Sequence, residues 1–181
     1  MRNIINIFIA SLFCGISFGY IFSLNFLNSF LLAFGMLFIS FLVSYWYSEK
    51  SYIKPVFDLF IPGMIISLLL IFFKLPIFPI LSIADVYYYA KARKIFERKI
   101  SSLEIGKIAK IFLLILFLFN IFGILIKNFY ISFLSSLLIL SFLIPYKNSF
   151  GSILFFYDIQ FFAIILISSL IFLFISFSFM F

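Results

Sequence analysis

Three aspartates are the residues of this chain best placed to do chemistry. Asp58, Asp85 and Asp158 lie at the edges of, or inside, apolar stretches. A carboxylate at membrane depth is costly, so ionisable residues retained there mark candidate sites of function. The chain holds six acids among 181 residues and no histidine. That absence excludes the His-dependent serine and cysteine hydrolases, zinc proteases of the H-E-x-x-H type and ordinary His-ligated haem. Any reaction falls to Asp, Glu, Lys, Tyr or Ser. Two carboxylates a few ångströms apart cannot both ionise. They can share a proton and activate water with neither histidine nor metal, and they titrate as a pair.

Each aspartate also has a purely structural explanation. Asp58 is expected near a helix N-terminus, where a carboxylate satisfies unpaired N–H groups and the helix dipole. Asp85 can pair with Lys91 or Arg93 by snorkelling. Asp158 has no cation within two turns of its own helix, the nearest being Lys147. It needs a partner from a different helix.

The elements that carry these acids are membrane helices. The chain is 66% hydrophobic and 10% charged, against about 45–50% and about 25% in soluble domains. The mean hydropathy is +1.33. A single integral membrane domain over residues 1–181 is expected, located in the cell membrane and crossing it several times. Cys14 is the lone cysteine, which leaves no disulfide and no thiolate metal site. No metal or cofactor is expected.

The apolar runs lack the polar alternation of membrane strands, so they read as helices. Spans are expected over about Ile4–Ser23, Phe26–Trp46 and Pro55–Phe73, with Pro55 in a first helical turn, where its missing N–H costs nothing. The first run is long and has no A-x-A cleavage site after it, so an uncleaved helix is expected rather than a signal peptide. Leu75–Ala90 is short, holds Pro76 and Pro79, and reads as a short span, a re-entrant segment or an interfacial helix. Further spans follow at about Ile108–Ile126 and Phe129–Ile144. The last run, Gly151–Phe181, extends about 45 Å as straight helix. The bilayer core is about 30 Å thick, so this run should tilt, break or protrude.

Charge orders these spans. Residues 91–110 carry seven cations and two acids, which places that loop in the cytoplasm. If 75–90 spans, then Arg2, the 48–54 loop, the 91–110 loop and Lys147 all fall inside. The expected fold is therefore all-α: a polytopic transmembrane helical bundle of about seven spans, one of them short (residues 75–90), with the N-terminus cytoplasmic. All three aspartates then lie on the cytoplasmic side at comparable depth. Asp85 sits six residues before Lys91, about 9 Å of helix from the inner loop.

On this topology the order Asp85, basic loop, two helices, short turn and Asp158 opening a helix resembles the core of type IV prepilin and archaeal preflagellin peptidases, which are membrane aspartyl proteases. The matching residues are Ala84-Asp85-Val86 with Lys91-Ala-Arg-Lys-Ile95, and Tyr157-Asp158-Ile-Gln-Phe-Phe-Ala163. The likeness covers roughly residues 80–170. It implies an Asp85/Asp158 dyad acting on a membrane-inserted protein substrate; Asp58, outside the likeness, is a candidate third acid by its place on the chain. The chain departs from that pattern in three places. Tyr157 replaces the glycine of GxGD, Gln160 stands where a lysine is usual, and the Ile-Pro-Asn after the first aspartate is absent. A second set, Lys54-Pro55, Ser82-Ile-Ala-Asp85 and Gly151-Ser-Ile-Leu-Phe155 with Asp158, is similar to lysoplasmalogenase-like membrane hydrolases and implies a lipid substrate.

The remaining features read more simply. Ser11, Gly15 and Gly19 form a small-residue stripe expected to pack against another helix of the chain, a dimer seam being the alternative. The 91–110 segment is a topology-setting loop, with anionic lipid or a protein partner as alternatives. No P-loop, dinucleotide fingerprint or metal cluster is present, and the net charge of +7 is assigned to topology rather than to nucleic acid. Three functions stay open at this stage: an aspartyl membrane protease, a non-enzymatic subunit of a membrane complex or small transporter, and a membrane lipid hydrolase. The partners expected are membrane lipids, with a protein substrate or partner subunits.

Overall fold

A computed structural model describes residues 2–22, 25–49, 53–73, 84–90, 102–144 and 150–180. Within these, the side chains of 18–22, 67–68, 70–71, 84–85, 87–90, 102–103 and 150 lie outside the description. The protein is mostly helical. Its described elements run α1 (Arg2–Phe22), α2 (Phe26–Glu49), β1 (Ile53–Leu59), α3 (Ile61–Phe72), β2 (Ala84–Ala90), α4 (Ser102–Leu125), α5 (Phe129–Leu143), α6 (Phe150–Tyr157) and α7 (Ile159–Met180). Among the described residues, three stretches are long and apolar enough to cross a membrane: Phe26–Glu49, Glu104–Leu125 and Ile159–Met180.

The helices pack as a layered bundle. α1 lies on α2, α2 on α4, α4 on α5, and α5 on α7. α5 is central and is buried along almost its whole length, serines included. Buried hydroxyls need partners in an apolar interior, and the α4–α5 seam supplies them. Asn120 donates to Ser136 Oγ at 2.7 Å and accepts from Ser132, while Ser135 donates to the Leu116 carbonyl at 2.8 Å. The seam is tight at Gly123, where a Cβ would stand 2.6 Å from the backbone nitrogen of Ser132. The stripe on α1 behaves as expected of intrachain packing: a Cβ on Gly15 would lie 3.0 Å from Phe30 Cβ of α2.

The expected third span is corrected. Its first part, Ile53–Leu59, is a strand, and only the 12-residue α3 is helical. Pro55 therefore lies in a strand rather than in a first helical turn. The end of the expected short span, Ala84–Ala90, is also a strand. The two pair antiparallel in a two-stranded ribbon, with Ile53 opposite Ala90 and Leu59 opposite Ala84. The local reason is alternation. Ile53, Pro55 and Phe57 are buried, while Lys54 is exposed and Asp58 is half-buried, the period of a strand with one face covered. Both strands of a two-stranded ribbon are edges, where proline is tolerated. Residues 74–83 and 91–101, which carry most of the short span and of the basic loop, lie outside the described residues.

The ribbon caps one end of the bundle. Phe57 is fully buried and meets Phe41 of α2 and Phe142 of α5 edge-on, with ring centroids 6.1 and 6.2 Å apart. Phe142 in turn meets Phe112 of α4 at 5.0 Å. These rings mark the end where α2 finishes, α4 begins and α5 finishes. At the opposite end Ser29 of α2 bonds Tyr130 of α5. There α4 closes on a left-handed Lys127, φ 56°. Lys127 N–H donates to Ile124 O at 2.9 Å and Asn128 N–H to Gly123 O at 2.8 Å, the bond pair of a Schellman C-cap.

The last apolar run breaks, as its length requires. α6 ends at Tyr157, α7 begins at Ile159, and Asp158 is the residue between them.

Candidate functional site

The ribbon cap gathers all three aspartates at one end of the bundle, and two of them onto one hairpin. Asp58 of β1 is the direct register partner of Asp85 of β2. The adjacent pair, Phe57 and Val86, is fully buried. Strand residues alternate between faces, so Asp58 and Asp85 hold positions on the face turned away from that core pair. Directly opposed positions in an antiparallel pair have Cβ atoms about 4.5–5.5 Å apart, and like charges placed there destabilise the sheet.

Asp58 is held by the first helix. Arg2 Nη2 sits astride its carboxylate, 3.2 Å from Oδ1 and 3.0 Å from Oδ2. Asn6, one turn along α1 and almost fully buried, donates from Nδ2 to the Phe57 carbonyl at 2.9 Å and to Asp58 Oδ1 at 3.2 Å. The Leu59 N–H adds a third donor to Oδ1 at 3.1 Å. Asp58 is thus not the helix-capping residue expected from the sequence: it lies within β1, three residues before Ile61, the first residue of α3.

Asp158 occupies the break between α6 and α7 and has the partner from another helix that its sequence position demanded, with a backbone N–H besides. Lys110 of α4 pairs with Oδ2, supplying the cation from another helix. Oδ1 accepts the Phe161 N–H at 2.9 Å, which caps the start of α7. The Lys110 hydrogen bond, followed by that of the Phe161 N–H, holds the Asp158 carboxyl below its ordinary range. The Lys110 ammonium also lies 5.6 Å from the ring centre of Tyr157 and 5.2 Å from that of Phe161, within cation–π range. Tyr157 replaces the expected motif glycine. Its ring fills the space over Gly106 of α4, where a Cβ would be 2.2 Å from Tyr157 Cδ1.

No family model, curated protein or solved structure matches this chain.

Among the sequence-predicted acids, then, Asp58 and Asp85 are brought together by strand register, and Asp158 is tied to Lys110. α6, which ends at Tyr157, touches β2. The expected facing of the Asp85 and Asp158 carboxylates involves a side chain outside the described ones. Three groups escaped the sequence reading: Arg2, Asn6 and the role of Lys110. Arg2 and Lys110 were counted only as topology charges. The available signal was that a cation at the edge of a long apolar run needs a carboxylate, and few carboxylates exist. Among the described residues no three acids or cysteines converge as a metal site.

Proposed function

We propose that the protein is a multi-pass protein of the cell membrane whose capped end is an aspartyl hydrolytic site facing the cytoplasm. Five helices, α1, α2, α4, α5 and α7, cross the bilayer in this reading, and β1 and β2 lie together on one face. Their antiparallel pairing supports that placement. Five crossings and the seven expected from charge give the same orientation, N-terminus inside and C-terminus outside. Arg2, Lys54 and Lys107 then meet the cytoplasm, and Lys127 the outer face, in keeping with the excess of cations inside.

The activity that suits this end is peptide-bond hydrolysis in a membrane-inserted protein, with Asp58 and Asp85 as the acid pair. The register pairing of two aspartates carries the reading, because two acids at neighbouring positions can share a proton and activate water. The ionised member removes a proton from water as the water oxygen attacks the carbonyl carbon. The protonated member gives its proton to the carbonyl oxygen. Collapse of the resulting diol breaks the C–N bond: the departing amine takes a proton from one acid, and a diol hydroxyl returns its proton to the other as the C=O re-forms, which restores the singly protonated pair. Asp158 braces α4 against the α6–α7 break in this scheme and is not one of the two acids.

A second reading, a non-enzymatic membrane subunit, is favoured by one observation: Asp58 and Asp158 each already have a cation from another element. Reconstitution in liposomes with a type IV prepilin-type substrate separates the two. The hydrolase reading expects cleavage by the wild type and its loss in Asp85→Asn. Equal product from both proteins, or none from the wild type, supports the subunit.

A further inference from the structure

The geometry points to Arg2 and Asn6 as positioning residues that aim one particular oxygen of Asp58, Oδ2, at the attacking water. This rests on the hydrolase reading above. A carboxylate offers about four lone-pair sites over its two oxygens. The fold uses them unevenly. Oδ1 receives Arg2 Nη2, Asn6 Nδ2 and the Leu59 N–H at 3.2, 3.2 and 3.1 Å. Oδ2 receives Arg2 Nη2 alone, at 3.0 Å, among the described residues. Oδ1 is therefore saturated, and Oδ2 keeps room for one more donor. Asn6 is well suited to fix that asymmetry. Its amide binds the Phe57 carbonyl and Asp58 Oδ1 together, so backbone and carboxylate are locked as one unit. It is 8% exposed, out of competition with water. Arg2, 73% exposed on its side chain, holds the carboxylate from the solvent side.

The first helix thereby becomes part of the site. Its N-terminal turn contributes no reacting group, yet it decides which oxygen of Asp58 is free to accept a proton from water. Loss of either contact lets the carboxylate rotate and present both oxygens without preference. Correct positioning is worth a large part of a catalysed rate, and misplacement by about 1 Å costs about 100-fold.

Two readouts test this on the full-length protein in liposomes. Cleavage of the prepilin-type substrate should fall about 10-fold or more in kcat for Arg2→Gln and Asn6→Ala, with KM within about twofold. Arg2→Lys, which keeps the cation, should recover most of that loss. Independently of activity, modification of Asp58 by dicyclohexylcarbodiimide, read by peptide mass spectrometry, should rise several-fold in Arg2→Gln and Asn6→Ala and stay near wild type in Arg2→Lys. Unchanged kcat with unchanged Asp58 modification in both variants overturns the inference. If the wild type cleaves nothing, the hydrolase reading fails on its own. The carbodiimide result then still decides whether Arg2 and Asn6 hold Asp58: no rise overturns that too.

Discussion

Asp58 and Asp85, 27 positions apart in sequence, are Cα partners in one antiparallel ribbon, next to a pair, Phe57 and Val86, with no solvent exposure. A fully buried pair fixes register strongly, because a one-residue slip would move every side chain to the other face. The acid pair is therefore as well specified as the aromatic plug beside it. That plug ties the ribbon to α2 and α5 through Phe41 and Phe142.

The register itself is open to a chemical test. Cysteines at the paired positions Val56 and Tyr87, in a Cys14→Ala background, should form a disulfide under mild oxidation, since Cβ atoms of opposed strand residues lie within about 5.5 Å. Cysteines at Val56 and Ala90, three residues out of register, should not. Equal cross-linking of both pairs, read by mobility before and after reduction, would contradict the ribbon.

The ribbon was only partly legible in the sequence. Ile53-Lys-Pro-Val-Phe-Asp-Leu59 alternates apolar and polar residues at all but Val56, and Tyr87-Tyr88-Tyr89 are strong strand formers. A short apolar run next to a longer one reads equally as the end of a helix, and both segments were absorbed into neighbouring spans. Charge constrains only the parity of the crossings there. It requires the 48–54 loop and the 91–110 loop to share a side, which demands an even number of crossings between them. Two crossings satisfy it, and so does none. What hydropathy and length alone could show has a counterpart in the structure: the helical segments on either side, the break in the last run, and the need of Asp158 for a cation from elsewhere. Arg2, Asn6 and Lys110 became visible only when the fold brought distant residues together.

The Lys110–Asp158 tie makes stability depend on acid pH in a stated direction. The Asp158 carboxyl is held below its ordinary value in the folded protein, first by Lys110 and then by the Phe161 N–H. A depressed carboxyl contributes stability that is fully present above its unfolded value, about 3.9, and is lost as pH falls through the lower folded value. Thermal unfolding in detergent should therefore show a melting temperature that drops below about pH 4. Lys110→Met should lower the melting temperature at pH 7 and flatten that acid drop. Lys110→Met/Asp158→Asn should be little worse than either single variant, because the two residues act on one contact.

Glycines separate packing from mere permissiveness. Gly123→Ala pushes a Cβ against the Ser132 backbone at 2.6 Å, which α5 cannot relieve without moving. It should cost about 1–3 kcal/mol. Gly35→Ala meets nothing within 4 Å in mid-α2 and should be neutral or stabilising by about 0.5–1 kcal/mol. Chemical denaturation in mixed micelles measures both. Equal effects would contradict the close α4–α5 seam.

In the proposed hydrolase Asp85 works with Asp58 rather than with Asp158. The most direct measurement is kcat/KM for cleavage of a prepilin-type substrate by Asp58→Asn and Asp158→Asn, side by side in liposomes. The account predicts a loss of at least about 100-fold for Asp58→Asn, the scale of a lost general acid or base. For Asp158→Asn it predicts retention of activity to within about 10-fold once the protein is shown to be folded. Wild-type activity in Asp58→Asn together with inactive, folded Asp158→Asn would contradict it.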